Sequence, residues 1–485
     1  MNEMNLFYLM PLIIIAAAAV IVMLLTAVKR SHAAAFTVTV IGFAAAFISL
    51  FFVNRNIPGQ VVPLVIIDGY ALLYMGFITL SSIAIAVLAY YYFKIHEEQR
   101  EEFYILLLTA SLGACALAGA SHFVSFFMGL EVLSVSLYTM IAYLRERLDS
   151  IEAGIKYLVL AAASSAFLLF GMALTYAAAG TMDFSRLSEN MMRAGVSPLL
   201  LMGIAMMVIA VGFKLALVPF HMWTPDVYQG APAPVTAFVA TVSKAGMFSV
   251  WLRFFVMSDA YRYRSLVLLF TAISVISMFT GNFLALMQTN VKRILAYSSI
   301  AHMGYLFVAF ISGGRLGIEA GTFYIAVYML TSLGTFGIVT VLSARERDAD
   351  DIEEYRGLYW RHPWLAMVFT AMLMSLAGIP LTAGFIGKFY LISSAVSVSY
   401  WLPVIILVIN SVISIYYYLR IVVVMYRPRE DERFDAAPAG YYISAGGGLV
   451  LAVLLIGLIW LGVFPGQFID LVKNMTGSLS ASLLP

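Results

Sequence analysis

Five ionisable residues lie inside stretches that are otherwise apolar: Glu131 in GLEVLS, Lys214 in FKLALVP, Lys244 in TVSK, His302 in SSIAHMGY and Lys388 in GFIGKFY. Groups of this type at bilayer depth are costly and are normally kept beside a partner, an interior cavity or an ion path. Burial works against the charged form of a lysine and a nearby carboxylate works for it, so a lysine balanced between the two can load and unload a proton. Glu131 is the one clearly deep carboxylate, and it is expected to pair with Lys214. A static Glu131–Lys214 salt bridge is the competing reading. It leaves Lys244 and Lys388 without a carboxylate, and that imbalance favours proton transfer. Taken alone, His302 is either a satisfied core residue or a proton relay between the helices of Lys244 and Lys388. His221, in VPFHMW, either gates access or caps exposed carbonyls, and Pro219 and Pro380 mark candidate gates beside it. His32, His96 and His362 fall in loops, and His122 at a helix boundary.

The elements that must position these residues follow from composition. The chain is 62% hydrophobic and 11% charged, with a mean hydropathy of +0.95, far from the roughly 45–50% apolar and 25% charged of a soluble domain. Apolar runs of about 20 residues are needed to cross the hydrocarbon core, and fourteen are present. They start near Leu6, Ala33, Ala71, Phe103, Phe123, Ile155, Leu199, Pro234, Leu266, Ile294, Gly321, Trp364, Trp401 and Tyr442. In lipid such runs must be helices, because lone strands leave their amides unpaired. The first lacks a basic start and is followed by Lys29 and Arg30, so it is expected to be retained and not cleaved as a signal peptide.

Two of these helices look interrupted. Helix 7 carries Pro219 shortly after Lys214, and helix 12 carries Gly378, Pro380, Gly384 and Gly387 just before Lys388. Proline removes an amide donor and clashes with the preceding turn, so each helix should break there, as transporter helices do at mid-membrane ion sites. The interruptions lie five helices apart. The expected fold is therefore an all-α polytopic membrane protein of about 14 transmembrane helices, with two five-helix repeats, helices 4–8 and 9–13. Five being odd, the second is inverted. One membrane domain is expected over 1–485, divided as three N-terminal helices (1–102), first repeat (103–257), second repeat (258–426) and C-terminal loop and helix (427–485).

Among the 28 Lys and Arg, the loops after even-numbered helices and the C-terminal tail hold only Arg55, Arg186, Arg193, Arg262, Arg264, Arg315 and Lys473. Four cations lie within helices: the three deep lysines and Arg253, expected to snorkel from a helix end. All others fall in loops after odd-numbered helices or the ends flanking them. By the positive-inside rule that basic face is cytoplasmic and both termini are periplasmic. The mixed-charge loops Arg345–Arg361 and Arg427–Asp435 are read as solvated loops, with contact to a neighbouring subunit as the alternative. A single cysteine, Cys115, excludes an internal disulfide and a cysteine-held cluster. No HExxH, CxxC, GxxxxGK or strand-borne GxGxxG occurs, so no metal, haem, flavin or nucleotide site is expected. A net charge of +2 carries no message about nucleic acid.

FKLALVPFHMWTPDVYQGAPAPVTAF, NVKRILAYSSIAHMGYL, LAGIPLTAGFIGKFYLI and GLEVLSVSLY resemble the N-type antiporter-like subunits of bacterial respiratory complex I, the proton-pumping NADH:quinone oxidoreductase. The resemblance covers essentially the whole chain. That family is similar to its M and L sisters and to subunits of multi-subunit cation/proton antiporters. Those sisters read PFHTWLPDA where this chain reads PFHMWTPDV, and the chain ends soon after helix 14 without the long lateral helix of the L type. Motif by motif, the resemblance implies that Glu131, Lys214, Lys244 and Lys388 carry protons along a hydrated axis. It implies no cofactor here: FMN, iron–sulfur clusters and quinone belong to partner subunits. The implied partners are the other membrane and peripheral subunits of complex I, including neighbouring antiporter-like subunits, and the lipid bilayer of a bacterial plasma membrane. The alternative function is a subunit of a monovalent cation/proton antiporter, and a third is a scaffold in which the lysines are structural.

Overall fold

A computed structural model of the chain describes residues 3–54, 57, 59–61, 64–95, 100–194, 197–343, 347–428 and 444–481. The apolar runs form helices α1 (Met10–Val28), α2 (His32–Val53), α3 (Gly69–Ile95), α4 (Glu101–Gly119), α5 (Phe123–Ile141) and α6 (Leu148–Ala179). Helix α7 has two arms, α7a (Pro198–Leu215) and α7b (Trp223–Gly230), and α8 spans Ala233–Met257. The second set is α9 (Arg264–Leu286), α10 (Val291–Ser312), α11 (Gly314–Leu342), α12a (Pro363–Ala377), α12b (Ala383–Ser397) and α13 (Trp401–Tyr426), followed by α14 (Ala445–Val463). Among the described residues, thirteen segments are long and apolar enough to cross a membrane, and the divided α12 makes the fourteenth. The predicted starts of helices 6 and 11 were late, because the first turns, from Leu148 and Gly314, are polar. The predicted start of helix 14, Tyr442, lies outside the described residues, as do most of Arg427–Asp435 and the first residues of Arg345–Arg361.

Local chemistry sets the ends. Ser31, Ser197, Asn290 and Ser444 each accept a bond from a backbone amide of the following first turn, satisfying donors that a helix start leaves free. Prolines occupy the first turns of α7a, α8 and α12a, where no amide is needed.

Both interruptions are built alike. At the end of α7a, Ala216 takes a left-handed conformation (φ 62°), its amide bonds to Phe213 O at 3.0 Å, and the Leu217 amide bonds to Gly212 O at 2.7 Å. At the end of α12a, Gly378 does the same (φ 84°), with its amide on Ser375 O and the Ile379 amide on Met374 O, each at 3.0 Å. Each is a Schellman cap followed shortly by proline. The first two helices of each repeat also close on glycine: a Cβ on Gly113 of α4 would stand 2.5 Å from Leu133 N of α5, and one on Gly281 of α9 would stand 2.6 Å from Ala301 N of α10. α4 begins on the basic face and α9 on the opposite one, so the two five-helix units are inverted.

Burial does not follow apolarity. α1, the most apolar span, faces mostly outward, whereas α8, the least apolar, is buried throughout, with α10 and α11 close behind. Lipid is as apolar as a core, so hydrophobicity alone does not decide which helix is central. Several elements were not foreseen, among them a helix at Phe184–Ala194 between α6 and α7a. A short antiparallel hairpin, Gly59–Val61 with Val65–Ile67, lies between α2 and α3. A last helix, Pro465–Ala481, folds back so that Met475 O sits 2.6 Å from where a Cβ on Gly69 would be.

Candidate functional site

The five predicted residues lie on α5, α7a, α8, α10 and α12b, around the buried centre. Lys214 closes the last turn of α7a, and its ammonium donates to Ser134 Oγ of α5 at 3.0 Å and to Tyr157 OH of α6 at 2.9 Å. Its Nζ also stands 5.5 Å from the centre of the Tyr157 ring. Glu131 is only partly buried, and its Oε1 accepts from Ser165 Oγ at 2.5 Å. The expected Glu131–Lys214 pair is therefore corrected, and the competing static salt bridge with it: no direct contact joins the two, and Ser134, one turn along α5 from Glu131, stands beside the Lys214 ammonium instead.

Lys244 follows a π-helical turn, Val239–Ser243, in the middle of α8. Single π turns inside α-helices often occur at functional sites. Lys244 Nζ donates to Ser299 Oγ at 2.5 Å and lies 5.9 Å from the Tyr228 ring centre. Ser299 in turn shares hydrogen bonds with Tyr328 OH (2.5 Å) and, more weakly, Tyr228 OH (3.5 Å). One turn along α10, His302 Nδ1 meets Tyr324 OH at 2.7 Å and Nε2 meets Tyr418 OH at 3.3 Å. Tyr418 also bonds Ser298. His302, Tyr324, Tyr328, Ser375 and Lys388 line a cavity of about 10 Å³, on the scale of one water.

Lys388 fills the break of α12. Its ammonium donates to Ala377 O at 2.9 Å, a carbonyl freed at the end of α12a, and lies 5.0 Å from the Tyr305 ring centre. Gly378 leaves room for it: a Cβ there would stand 3.1 Å from Lys388 Nζ. In the last turn of α7a, Phe213 O, which already accepts the Ala216 amide, also takes the Trp223 indole N–H at 2.9 Å. The polar chain thus runs from Ser165 and Glu131 past Lys214 and Tyr157, and from Tyr228 and Lys244 through Ser299 and His302 to Lys388. Between the two parts stands the Trp223 ring, tilted against Tyr157 at 4.9 Å and edge-on to Tyr228 at 6.4 Å between centres. His221 is buried in the α7 break but outside this chain, while Pro219 and Pro380 are exposed and shape the breaks without entering the chain. Among the described residues, no group of three or more His, Cys, Asp and Glu side chains is placed to hold a metal ion.

A model of the NADH:quinone oxidoreductase/Mrp antiporter transmembrane family matches residues 120–414, more than half of the chain. The chain belongs to this family. All five predicted residues fall within the matched span. A subunit N of NADH-quinone oxidoreductase from Ectopseudomonas mendocina is 47% identical over 477 residues, covering 97% of this chain and 96% of the relative. A chain of respiratory complex I from Thermus thermophilus with bound aureothin is 30% identical with a TM-score of 0.81, covering 96% of this chain and 99% of that one. A chain of the Mrp complex from Dietzia sp. DQ12-45-1b has a TM-score of 0.85 at 19% identity, over 99% of this chain and 98% of that one. At that identity the likeness concerns the fold.

Three charged groups of this family member escaped the sequence reading. Arg253 does not snorkel; it is 1% exposed and forms a bidentate pair with Asp68 (2.9 and 2.8 Å), with the Tyr70 ring 4.9 Å from its guanidinium carbon. Lys292, counted as a loop residue, is buried in the first turn of α10, where it bonds Asp348 Oδ2 and Ala231 O, each at 2.7 Å. Asp348 also accepts from Tyr92 OH (2.6 Å) and Arg147 Nη1 (3.1 Å). Burial alone would raise the Asp348 carboxyl, but the adjacent Lys292 and Arg147 charges outweigh it and hold the group below its ordinary value. The third is Glu319, which is buried as Asp68 and Asp348 are, whereas Glu131, expected as the one clearly deep carboxylate, is only partly buried. The partners of Arg253 and Lys292 come from remote parts of the sequence, so no local pattern marks them, whereas Glu319 pairs with Arg315 one turn before it and with remote Tyr390.

Proposed function

We propose that the chain is a proton-translocating, non-redox membrane subunit of a bacterial NADH:quinone oxidoreductase, in which Glu131, Lys214, Lys244, His302 and Lys388 carry protons. The observation behind this reading is the row of three buried lysines, each held by hydroxyls, a carbonyl or aromatic rings and none by a carboxylate ion pair. A lysine stapled for structure would be paired with an anion, since an unpaired buried charge is strongly destabilising. A lysine surrounded by groups that both donate and accept can exist with or without its extra proton. The relatives named above support placing the subunit in a redox-driven complex. FMN, iron–sulfur clusters and quinone are assigned to partner subunits, consistent with one cysteine in the chain. The distribution of Lys and Arg supports an orientation with both termini periplasmic, and the bacterial relatives support a bacterial plasma membrane location.

The test is the assembled complex in liposomes, with proton uptake followed by a pH-sensitive dye alongside NADH:quinone turnover. Lys244→Ala should lower pumping while leaving assembly intact, and Lys244→Arg should keep the charge but not release its proton. Wild-type pumping by an assembled Lys244→Ala complex would sink the reading and leave a scaffold. Copurification with cation antiporter subunits in place of flavin and iron–sulfur subunits would favour the antiporter.

A further inference from the structure

A proton that reaches Lys388 must still leave the buried chain, and the contacts between α11 and α12b mark a place for it. α11 carries Tyr328 and Tyr324, the partners of Ser299 and His302, and continues toward the non-basic face to Glu319. α12b carries Lys388 and, two residues closer to that same face, Tyr390. The helices touch along this stretch, since a Cβ on Gly387 would stand 3.0 Å from the Tyr324 ring. Tyr390 OH donates to Glu319 Oε2 at 2.6 Å, and Arg315 Nε donates to Oε1 at 2.7 Å. The Glu319 side chain is 2% exposed and that of Arg315 is 65% exposed. The carboxylate is therefore inside and its cation at the surface.

The other buried carboxylate near that face, Asp68, is differently placed. Both of its oxygens are held by the Arg253 guanidinium, which neither accepts nor gives up a proton in proteins. One oxygen of Glu319 instead meets a phenol, which can donate and accept at once.

We propose that Glu319, with Tyr390, is the proton-release station at the end of the chain that begins at Glu131; this rests on the translocation reading above. The Lys388 ammonium gives up a proton and becomes a neutral amine. Lys388 and Tyr390 stand two residues apart and so on different faces of α12b, and the proton crosses between them by water; as it reaches the Tyr390 oxygen, the O–H proton of Tyr390 passes to Glu319 Oε2. The neutral acid then loses its proton to water at the non-basic face, and Arg315 pairs with the carboxylate left behind.

The experiment compares Glu319→Gln, Glu319→Asp, Tyr390→Phe and Lys388→Ala in the assembled complex in liposomes. It measures protons moved per NADH oxidised, and turnover with and without a protonophore. Glu319→Gln keeps the shape but cannot titrate; it should lower pumping several-fold, Tyr390→Phe should lower it less, and Glu319→Asp should restore it. Turnover of the Glu319→Gln complex should recover when the protonophore is added. Wild-type pumping by Glu319→Gln beside a defective Lys388→Ala overturns the station and leaves the wider reading in place. Wild-type pumping by both overturns the two together. A defect that neither Glu319→Asp nor protonophore relieves is structural and also overturns the station. If Glu319→Gln fails to assemble, Tyr390→Phe decides by the same measurements, with wild-type pumping counting against the proposal.

Discussion

At the scale of single residues, hydroxyls are the main side-chain partners of Lys214, Lys244 and His302. Tyr157 holds Lys214 from α6 as Ser134 does from α5. Removing one of the two contacts should weaken proton transfer without emptying the site. Tyr157→Phe is thus expected to reduce pumping less than Lys214→Ala does, with normal assembly, read by dye quenching in liposomes; equal pumping by Tyr157→Phe and wild type would remove the phenol from the path. Arg253 is the contrasting case. Its pair with Asp68 is buried and bidentate, and taking away one partner of such a pair typically costs about 3–5 kcal/mol. Arg253→Ala should therefore lower the thermal stability of the detergent-solubilised complex, or abolish its assembly. An unchanged melting temperature would show that the pair is dispensable.

At the scale of elements, the two breaks are formed by backbone geometry as much as by proline. Gly384 begins α12b so close to α12a that a Cβ would stand 1.8 Å from Ser375 O. The obstruction is backbone, so the arms cannot both stay in place. Gly384→Ala is expected to prevent stable assembly, measured by native gel and subunit yield. Gly466→Ala, where nothing lies within 4 Å, should assemble normally. The α7b–α8 turn is fixed from elsewhere, by Lys292 reaching Ala231 O while bound to Asp348. Because the Asp348 carboxyl is held below its ordinary value, its contribution is present above the unfolded pKa of about 3.9 and is lost as pH falls through the folded one. Asp348→Asn should thus be less stable at neutral pH and lose less of its remaining stability on acidification below about pH 4. Melting curves across that range check this, and parallel acid losses would contradict it.

For the whole molecule, inversion of the two repeats puts the Asp348 cluster at the basic face and Glu319 at the other, with the lysines between. The proposed orientation makes the basic face cytoplasmic. Single cysteines placed near residue 2 and at Glu353, labelled from one side with an impermeant thiol reagent, should report opposite faces. Native Cys115 is 1% exposed and should not interfere. Labelling of both sites from the same side would overturn the assignment.

The sequence by itself determined the class, the helix count, the two breaks and four lone charges, because each follows from local quantities: run length, the missing amide of proline, and the cost of a charge among apolar neighbours. His302 could be named but not decided between core and relay, since that depends on Tyr324 and Tyr418 from other helices. Tertiary structure alone decided that α8 is central, that Ser134 and Tyr157 stand where a carboxylate was expected beside Lys214, and that Arg253, Lys292 and Glu319 are buried. Helix burial within a bilayer leaves little trace in composition, because lipid and protein interior are alike to an apolar side chain. A polar partner 185 residues away, as Asp68 is from Arg253, leaves none in the local sequence, because the contact exists only once the helices have packed.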